Sequence, residues 1–172
     1  MARGFIEITN TGLTEIADYL DKLADNYDKA LLESVKAMQD PVVERIKNNW
    51  VSMVGGTPGG YVFDSIGKST AMSQTDPHTI VGTVGVYNLD KVNSAHGKTS
   101  KDLNAAQIAY WVEYGTSRLR SGIRKQKGTQ YADEDVIQVS AKPFIGNAFY
   151  NSIDEQNEAF KMKFNTFMDQ IK

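Results

Sequence analysis

The chain has 172 residues and a net charge of −2; 41% of its residues are hydrophobic and 23% are charged. This length supports one domain with a buried core, and this composition excludes a disordered or a membrane-embedded class. The absence of cysteine excludes disulfides and thiolate metal sites, and two histidines, His78 and His96, are too few for most zinc sites. No apolar run approaches the roughly 18 residues of a bilayer span, and the first five residues do not resemble a signal peptide. We therefore expect a soluble protein made in a cytosol.

The first predicted elements are a short strand and a long helix. Residues 5–9 are β-rich and partly alternating, and residues 10–12 break this pattern. From residue 13 to residue 38, apolar side chains recur at three- and four-residue steps, which predicts one amphipathic helix of roughly seven turns. Asp40 and Pro41 then leave two alternatives. Either they begin a second helix, or Pro41 kinks the first one.

The middle of the chain predicts a hairpin between two loops. Residues 55–60 contain four glycines and a proline, which favours a flexible loop. Residues 66–73 and 79–87 predict two strands joined by a turn at Thr75-Asp76-Pro77. The following segment, 88–104, is polar and has no periodicity. We expect it to be a long exposed loop.

The last third of the chain predicts two helices and a strand. Residues 105–112 favour a short helix that Gly115 ends. Residues 117–135 have little apolar pattern and predict a second long loop, after which residues 136–139 predict a third strand of the sheet. Pro143 opens a C-terminal helix. A long N-terminal and a C-terminal helix packed on a small, mostly antiparallel sheet make one α+β domain over residues 1–172.

No group of residues in the sequence predicts catalysis. Gly67-Lys68-Ser69 matches the end of a phosphate-binding loop, but the glycine required five residues earlier is Val62 and the segment is a predicted strand. Asp64 and Glu113 would form an acid–base pair only if the fold joined them, and no pattern predicts this. We expect Glu113 to cap a turn or to pair with an arginine. We therefore predict a protein that is not an enzyme and binds no cofactor or metal.

One basic cluster lies in the predicted second loop, since residues 101–127 contain six basic and two acidic residues. Its members are Arg118, Arg120, Arg124, Lys125 and Lys127. Such a cluster can bind phosphates with a strong salt dependence. It can also be a solvated loop, or Arg118 and Arg120 can pair with the acidic face of a neighbouring subunit.

Two short motifs flank the basic cluster: Trp111-Val112-Glu113-Tyr114-Gly115-Thr116 and Ala141-Lys142-Pro143-Phe144-Ile145. With the long helix, residues 58–66 and a valine-rich strand before them, their order resembles the tail-completion proteins of tailed bacteriophages. These head–tail joining proteins resemble one another in a hydrophobic-Glu-aromatic-Gly-Thr motif and an Ala-x-Pro-Phe motif. The resemblance covers roughly residues 12–170. The chain departs from it at residues 59–62, and its loop between the motifs is longer and more basic.

The resemblance implies a noncatalytic structural virion protein. Such a protein forms a ring, of six copies to match the tail symmetry, at the phage neck between the tail tube and the head connector. The implied partners are copies of itself, a tail-tube or tail-terminator protein, a connector or adaptor protein, and genomic DNA in the channel. The implied location is the virion, and the host cytoplasm during assembly.

Within this resemblance, we interpret Trp111 and Phe144 as core anchors. Gly115, with Thr116 after it, and Pro143 are then the hinges where the chain leaves and re-enters the body. The basic loop between them is the expected contact with other molecules. The alternatives are a nucleic-acid-binding module that uses residues 118–127, a tail terminator, and a small hydrolase that uses Asp64 and Glu113.

Overall fold

The structure is a computed structural model, and it describes residues 11–76, 79–99, 102–119 and 136–169. The strand predicted at residues 5–9 lies outside the described residues. So do Pro77 of the predicted turn, His78 and most of the predicted second loop.

The first helix, α1, comprises Thr11–Asn49 and runs through Pro41. The alternative of a second helix beginning at Pro41 is therefore wrong. A proline removes one hydrogen bond from a helix, but the fully buried Val42 and Ile46 hold the next turns of α1 in the core. A π-helical turn, Trp50–Val54, continues α1, and Gly55 ends the helical run with a left-handed φ of 79°.

A β-hairpin packs on the side of α1. After the short helix α2, Tyr61–Asp64, strand β1, Ile66–Met72, pairs antiparallel with β2, Ile80–Val86. This confirms the predicted hairpin. The side-chain amide of Gln39 on α1 donates to the carbonyl of Ser69 on β1 at 2.9 Å and to that of Thr83 on β2 at 3.0 Å. One helical side chain thus holds both strands.

Two helices follow the hairpin. Helix α3, Asp90–Ala95, lies within residues 88–104, so the prediction of one continuous loop there is wrong. Its six residues are too few to produce a recognisable period. Helix α4, Ala105–Tyr114, was predicted correctly. The Asn104 side chain accepts from the Gln107 backbone amide, and the Gln107 side chain accepts from the Asn104 backbone amide.

A second, separate hairpin follows α4. Strand β3, Thr116–Leu119, pairs antiparallel with β4, Val136–Val139, and Thr116 lies opposite Val139. Residues 136–139 are therefore a strand, as predicted, but they do not extend the first sheet. Residues 117–119 of the expected loop belong to β3, and residues 120–135 lie outside the described residues. Four residues with two small polar side chains carry no alternating apolar signal, which is why the sequence did not predict β3.

The C-terminal part contains two helices where one was predicted. They are α5, Phe144–Tyr150, and α6, Ile153–Asp169. The break lies at Ser152, whose hydroxyl donates to the carbonyl of Ala148 at 2.8 Å and accepts from the Gln156 amide at 2.9 Å. Serine side chains compete for backbone groups in this way and weaken a helix. Helix α6 then returns along α1, where Phe164 meets Tyr27 edge to face.

The core lies where α1, α2, β1, α4 and α5 meet, and the fold is α+β, as predicted. Its buried members are Val42, Ile46, Trp50, Val62, Ile66, Ala105, Ala109, Phe144 and Ala148. The rings of Trp50 and Phe144 lie 5.1 Å apart at its centre. None of the helices among the described residues is long and apolar enough to cross a membrane.

Candidate functional site

The two sequence motifs meet at the end of α4. The buried residues of this helix, Ala105, Ala109 and Glu113, follow at four-residue intervals and therefore share one face. Trp111 lies two residues from Ala109 and from Glu113, about 200° around the helix. It is only half-buried and is not part of the core cluster. The interpretation of Trp111 as a core anchor is therefore wrong, and Trp50 is the tryptophan of the core.

The buried carboxylate of Glu113 binds the beginning of α5. One oxygen accepts from the backbone amide of Ile145 at 2.8 Å, and the other accepts from that of Gly146 at 2.9 Å. Both amides lie in the first turn of α5, where backbone N–H groups have no partner within the helix and a negative charge is stabilised. Glu113 thus caps the first turn of α5, whereas the sequence suggested that it caps a turn or pairs with an arginine.

Further contacts fasten the second motif at the same place. The backbone amide of Lys142 donates to the carbonyl of Val112 at 2.7 Å. The Asn49 side chain, at the end of α1, donates to the carbonyl of Phe144 at 3.0 Å. Phe144 is fully buried, as predicted, and the exposed Pro143 before it takes the position that precedes the first residue of α5. The end of α4 and the beginning of α5 are therefore one rigid junction.

Gly115 is packed against the strand that returns to this junction. Its φ of 74° and ψ of 164° are a combination that essentially only glycine adopts. A β-carbon there would lie 2.8 Å from the Val139 carbonyl and 2.9 Å from the Ala141 amide. The chain thus leaves the body at Gly115 and returns beside it at Val139 to Ala141. The sequence predicts that the chain returns at Pro143, but it meets Gly115 a few residues earlier.

Arg118 is the member of the basic cluster that lies within the described residues. Arg118 lies in β3 opposite Ile137. The other four members, Arg120, Arg124, Lys125 and Lys127, lie outside the described residues. The junction therefore holds the two ends of the segment that carries the cluster.

A histidine–carboxylate pair lies elsewhere, and the sequence did not predict it. His96 Nε2 lies 2.8 Å from an Asp64 carboxylate oxygen, and the His96 ring contacts that of Tyr61 at a centroid distance of 5.6 Å. His96 is half-buried at the end of α3, although it lies within residues 88–104, which the sequence predicted to be an exposed loop. Within the described residues, His96 has no hydrogen bond to a hydroxyl that could serve as a nucleophile. The pair links α2 to the end of α3, and Asp64 and Glu113 have separate partners.

Exposed aromatic side chains surround the junction. Tyr110 and Tyr114 are 61% and 69% exposed, and the centroids of their rings lie 4.8 Å apart; Phe149 and Tyr150 are 50% and 72% exposed. Between α4 and α5, a shallow groove of about 290 Å³ is lined by both tyrosines of α4 and by Val86 and Ile145. Aromatic side chains of this kind are enriched at protein interfaces.

Within the described ranges, no three side chains of histidine, aspartate or glutamate are grouped so that they could hold a metal ion. No protein family, curated protein or solved structure matches the chain. The contacts of Glu113 fix the end of α4 to the beginning of α5, and exposed aromatic side chains lie beside this junction. The relation to tail-completion proteins stays a prediction from the two motifs.

Proposed function

We propose that this chain is a noncatalytic structural subunit of a bacteriophage neck. In this role it is a ring-forming tail-completion or head–tail joining protein that links the tail tube to the head connector. It assembles in the host cytoplasm and remains in the virion. The observation that carries the proposal is the pair of hydrogen bonds from the Ile145 and Gly146 amides to Glu113, because it makes the two family-like motifs one structural unit.

The motif residues have structural tasks that suit such a subunit. Glu113 caps α5, Gly115 allows the close approach of β4, and Phe144 fills the core. A loop held at both ends by a rigid body is a common way to present residues to other macromolecules. In the proposed ring, the segment between β3 and β4 contacts a neighbouring subunit or an adjacent ring.

The aromatic surface around the junction supports the same proposal. A ring with rotational symmetry needs two unlike surfaces on each subunit, because the contacts between neighbours are heterologous. Tyr110, Tyr114, Phe149 and Tyr150 supply one such surface. The basic segment supplies a second surface of different chemistry, suited to an acidic partner.

The test is charge reversal in the basic cluster. We expect the double variant Arg118→Glu, Arg120→Glu to fold with the circular dichroism spectrum of the wild type but to prevent the attachment of heads to tails in a complementation assay. Lys161→Glu on the exposed side of α6 is the matched control and should give a normal yield of particles. Infectious particles in normal yield from the double variant would show that this contact is not made.

The same variants distinguish the proposed function from the alternative of a nucleic-acid-binding module. A module that binds duplex DNA through residues 118–127 would show an affinity that falls steeply with salt, because bound phosphates release counterions. The double variant would lower this affinity, whereas Lys161→Glu would leave it unchanged. The proposed neck subunit requires no DNA affinity of the isolated protein.

A further inference from the structure

Among the residues that the structure describes, no strand pairs with the outer edge of β2. The ladder of the first hairpin continues at both ends through hydrogen bonds from the Tyr87 amide to the Ser65 carbonyl and from the Ser73 amide to the Thr79 carbonyl. Antiparallel pairs alternate between those that exchange hydrogen bonds and those that do not. In this register, the N–H and C=O groups of Ile80, Gly82 and Val84 therefore point away from β1. Within the described residues these groups have no partner.

An apolar groove runs beside this edge. Its volume is about 300 Å³, and Ile80, Gly82 and Val84 of β2 line it. Ile145 and Phe149 of α5 also line it, together with residues of α1, among them Val35, Met38, Val42 and Ile46. The same three residues of β2 thus line the apolar groove and have backbone groups without a partner among the described residues.

A strand edge without a partner beside an apolar groove is suited to bind an extended strand. Such a strand pairs its backbone with the outer edge of β2 and places alternate side chains in the groove. We propose that residues 5–9 of a second copy of this chain bind here and extend the first sheet by one strand. The inference rests on the proposed ring and identifies one contact between its subunits.

The sequence of residues 5–9 fits the groove. In Phe5-Ile6-Glu7-Ile8-Thr9, strand alternation places Ile6 and Ile8 on one face and Phe5, Glu7 and Thr9 on the other. The isoleucines would fill the groove. The face with Glu7 and Thr9, which Phe5 begins, would continue the exposed face of β2, where Val81 and Thr83 lie. Five residues extend over about 17 Å, enough to cover the edge from Ile80 to Val84.

The donor must be a second copy because the segment cannot reach the groove of its own chain. Gly82 packs against α1 at Val35, since a β-carbon on Gly82 would lie 2.8 Å from that side chain. Thr11, the first residue of α1, is 24 residues before Val35, and at 1.5 Å per residue it lies about 36 Å away. The residues from 5 to 10 span at most about 21 Å when fully extended. If neighbouring subunits exchange residues 5–9, the segment no longer has to cover this distance. The exchange also provides the heterologous contact that a ring requires.

Disulfide trapping tests the inference, because the natural chain has no cysteine. Glu7→Cys is placed in one chain, and Val81→Cys or Thr83→Cys in a second chain that carries a longer tag. The two are mixed and oxidised. Cysteines on adjacent strands meet the distance requirement of a disulfide. We expect heterodimers in excess over homodimers for at least one pairing. Met162→Cys, 73% exposed on α6, is the control partner, and heterodimers no more abundant than with this control would overturn the inference.

A proline at position 80 distinguishes the addition of a strand to β2 from binding by apolar contact alone. Ile80→Pro removes an N–H that has no partner within the described residues, whereas Ile80→Ala shortens the same side chain and keeps the N–H. We expect similar melting temperatures for the two variants, but about tenfold weaker self-association of the proline variant, the equivalent of one hydrogen bond. Equal self-association of the two variants, or association that survives removal of residues 1–10, would assign the groove to another occupant.

These outcomes are distinct from those of the proposed function. Particles that require this protein for head–tail joining, but whose subunits give no specific disulfide, would contradict the strand exchange alone. Specific disulfides in a protein that particles do not require would contradict the proposed function alone.

Discussion

Glu113 binds the backbone amide of Gly146 at 2.9 Å, across 33 residues of sequence. A β-carbon on Gly146 would lie 3.2 Å from the same carboxylate oxygen, so the glycine also leaves room for this contact. The glutamate of the first motif and the residues after Phe144 in the second motif are thus fitted to each other. The two motifs therefore act as one junction from which the β3–β4 hairpin extends.

The first prediction concerns the energy of this junction. Glu113→Ala leaves two helix N-terminal amides in a largely buried site without an acceptor, and we expect a loss of about 2–4 kcal/mol in the free energy of unfolding. Glu113→Gln keeps one acceptor oxygen and should lose less. Urea denaturation measures both. Glu155→Ala, which breaks an exposed ion pair with Arg45, is the control, and its loss should stay below about 1 kcal/mol. Equal losses for Glu113→Ala and this control would contradict the role of Glu113.

The second prediction concerns the packing of Gly115. We expect Gly115→Ala to be destabilising by at least about 2 kcal/mol, because a β-carbon meets the Val139 carbonyl and the backbone is in a region restricted to glycine. Gly97→Ala is the matched control. Gly97 also has a positive φ, 62°, but open space around it, so this variant shows the conformational cost alone. Thermal denaturation of both compares the two costs, and equal shifts in melting temperature would mean that β4 does not pack on Gly115.

The third prediction separates the two aromatic residues of the motifs. Phe144 is fully buried against Trp50, and Phe144→Ala should cost about 3–5 kcal/mol of stability. Trp111 is half-buried and outside the core. Trp111→Ala should therefore cost clearly less, as measured by denaturant unfolding followed by circular dichroism. A larger loss for Trp111→Ala would restore Trp111 as a core anchor.

The fourth prediction concerns the attachment of the first hairpin to α1. Gln39 is 4% exposed, donates to both strands and accepts from the Thr70 hydroxyl at 2.6 Å. We expect Gln39→Leu to cost about 1–3 kcal/mol, since it removes three hydrogen bonds from a buried position. Hydrogen exchange at the β1 and β2 amides should also become faster. Gln74→Leu in the exposed turn is the control, and unchanged exchange in Gln39→Leu would show that the hairpin is held by other contacts.

The fifth prediction concerns the turn before α4. The Thr99 backbone amide donates to the Asp102 carboxylate, and the Thr99 hydroxyl adds a second hydrogen bond. Together they lower the pKa of Asp102 below the usual aspartate value. Because the pKa is lower in the folded state, this stabilisation is present above the unfolded pKa and is lost as the pH falls through the folded one. An NMR titration should show the low pKa, and Thr99→Ala should raise it in part. A pKa that Thr99→Ala leaves unchanged would exclude the hydroxyl as a contributor.

Elements with strong local signals could be predicted from the sequence. The apolar period of α1, the turn residues of the first hairpin and the glycine that ends α4 each depend on residues close together in the chain. They can therefore be recognised in a single sequence. The path of α1 through Pro41 could not be predicted, because the packing of Val42 and Ile46 overrides the local preference of proline. Strand β3 and helix α3 are too short to produce a period.

The candidate site, too, could be predicted from the sequence only in part. The sequence indicated that Glu113 has a structural role, since it ends an apolar helical run. It could not indicate the partner, because the Ile145 amide is 32 residues away and a backbone group leaves no trace in sequence. The pair of Asp64 and His96 is also separated by 32 residues. The choice between Trp50 and Trp111 as the core residue depends on which helical face meets α5, and this is a property of the whole fold.

Electron microscopy of particles made without this protein tests the proposal that the chain joins heads to tails as a structural subunit. The coding sequence is deleted from the genome that carries it, and the purified protein is later added to the lysate. We expect separate filled heads and full-length tails, which the added protein joins into infectious particles. Complete, infectious particles formed without the protein would contradict the proposal.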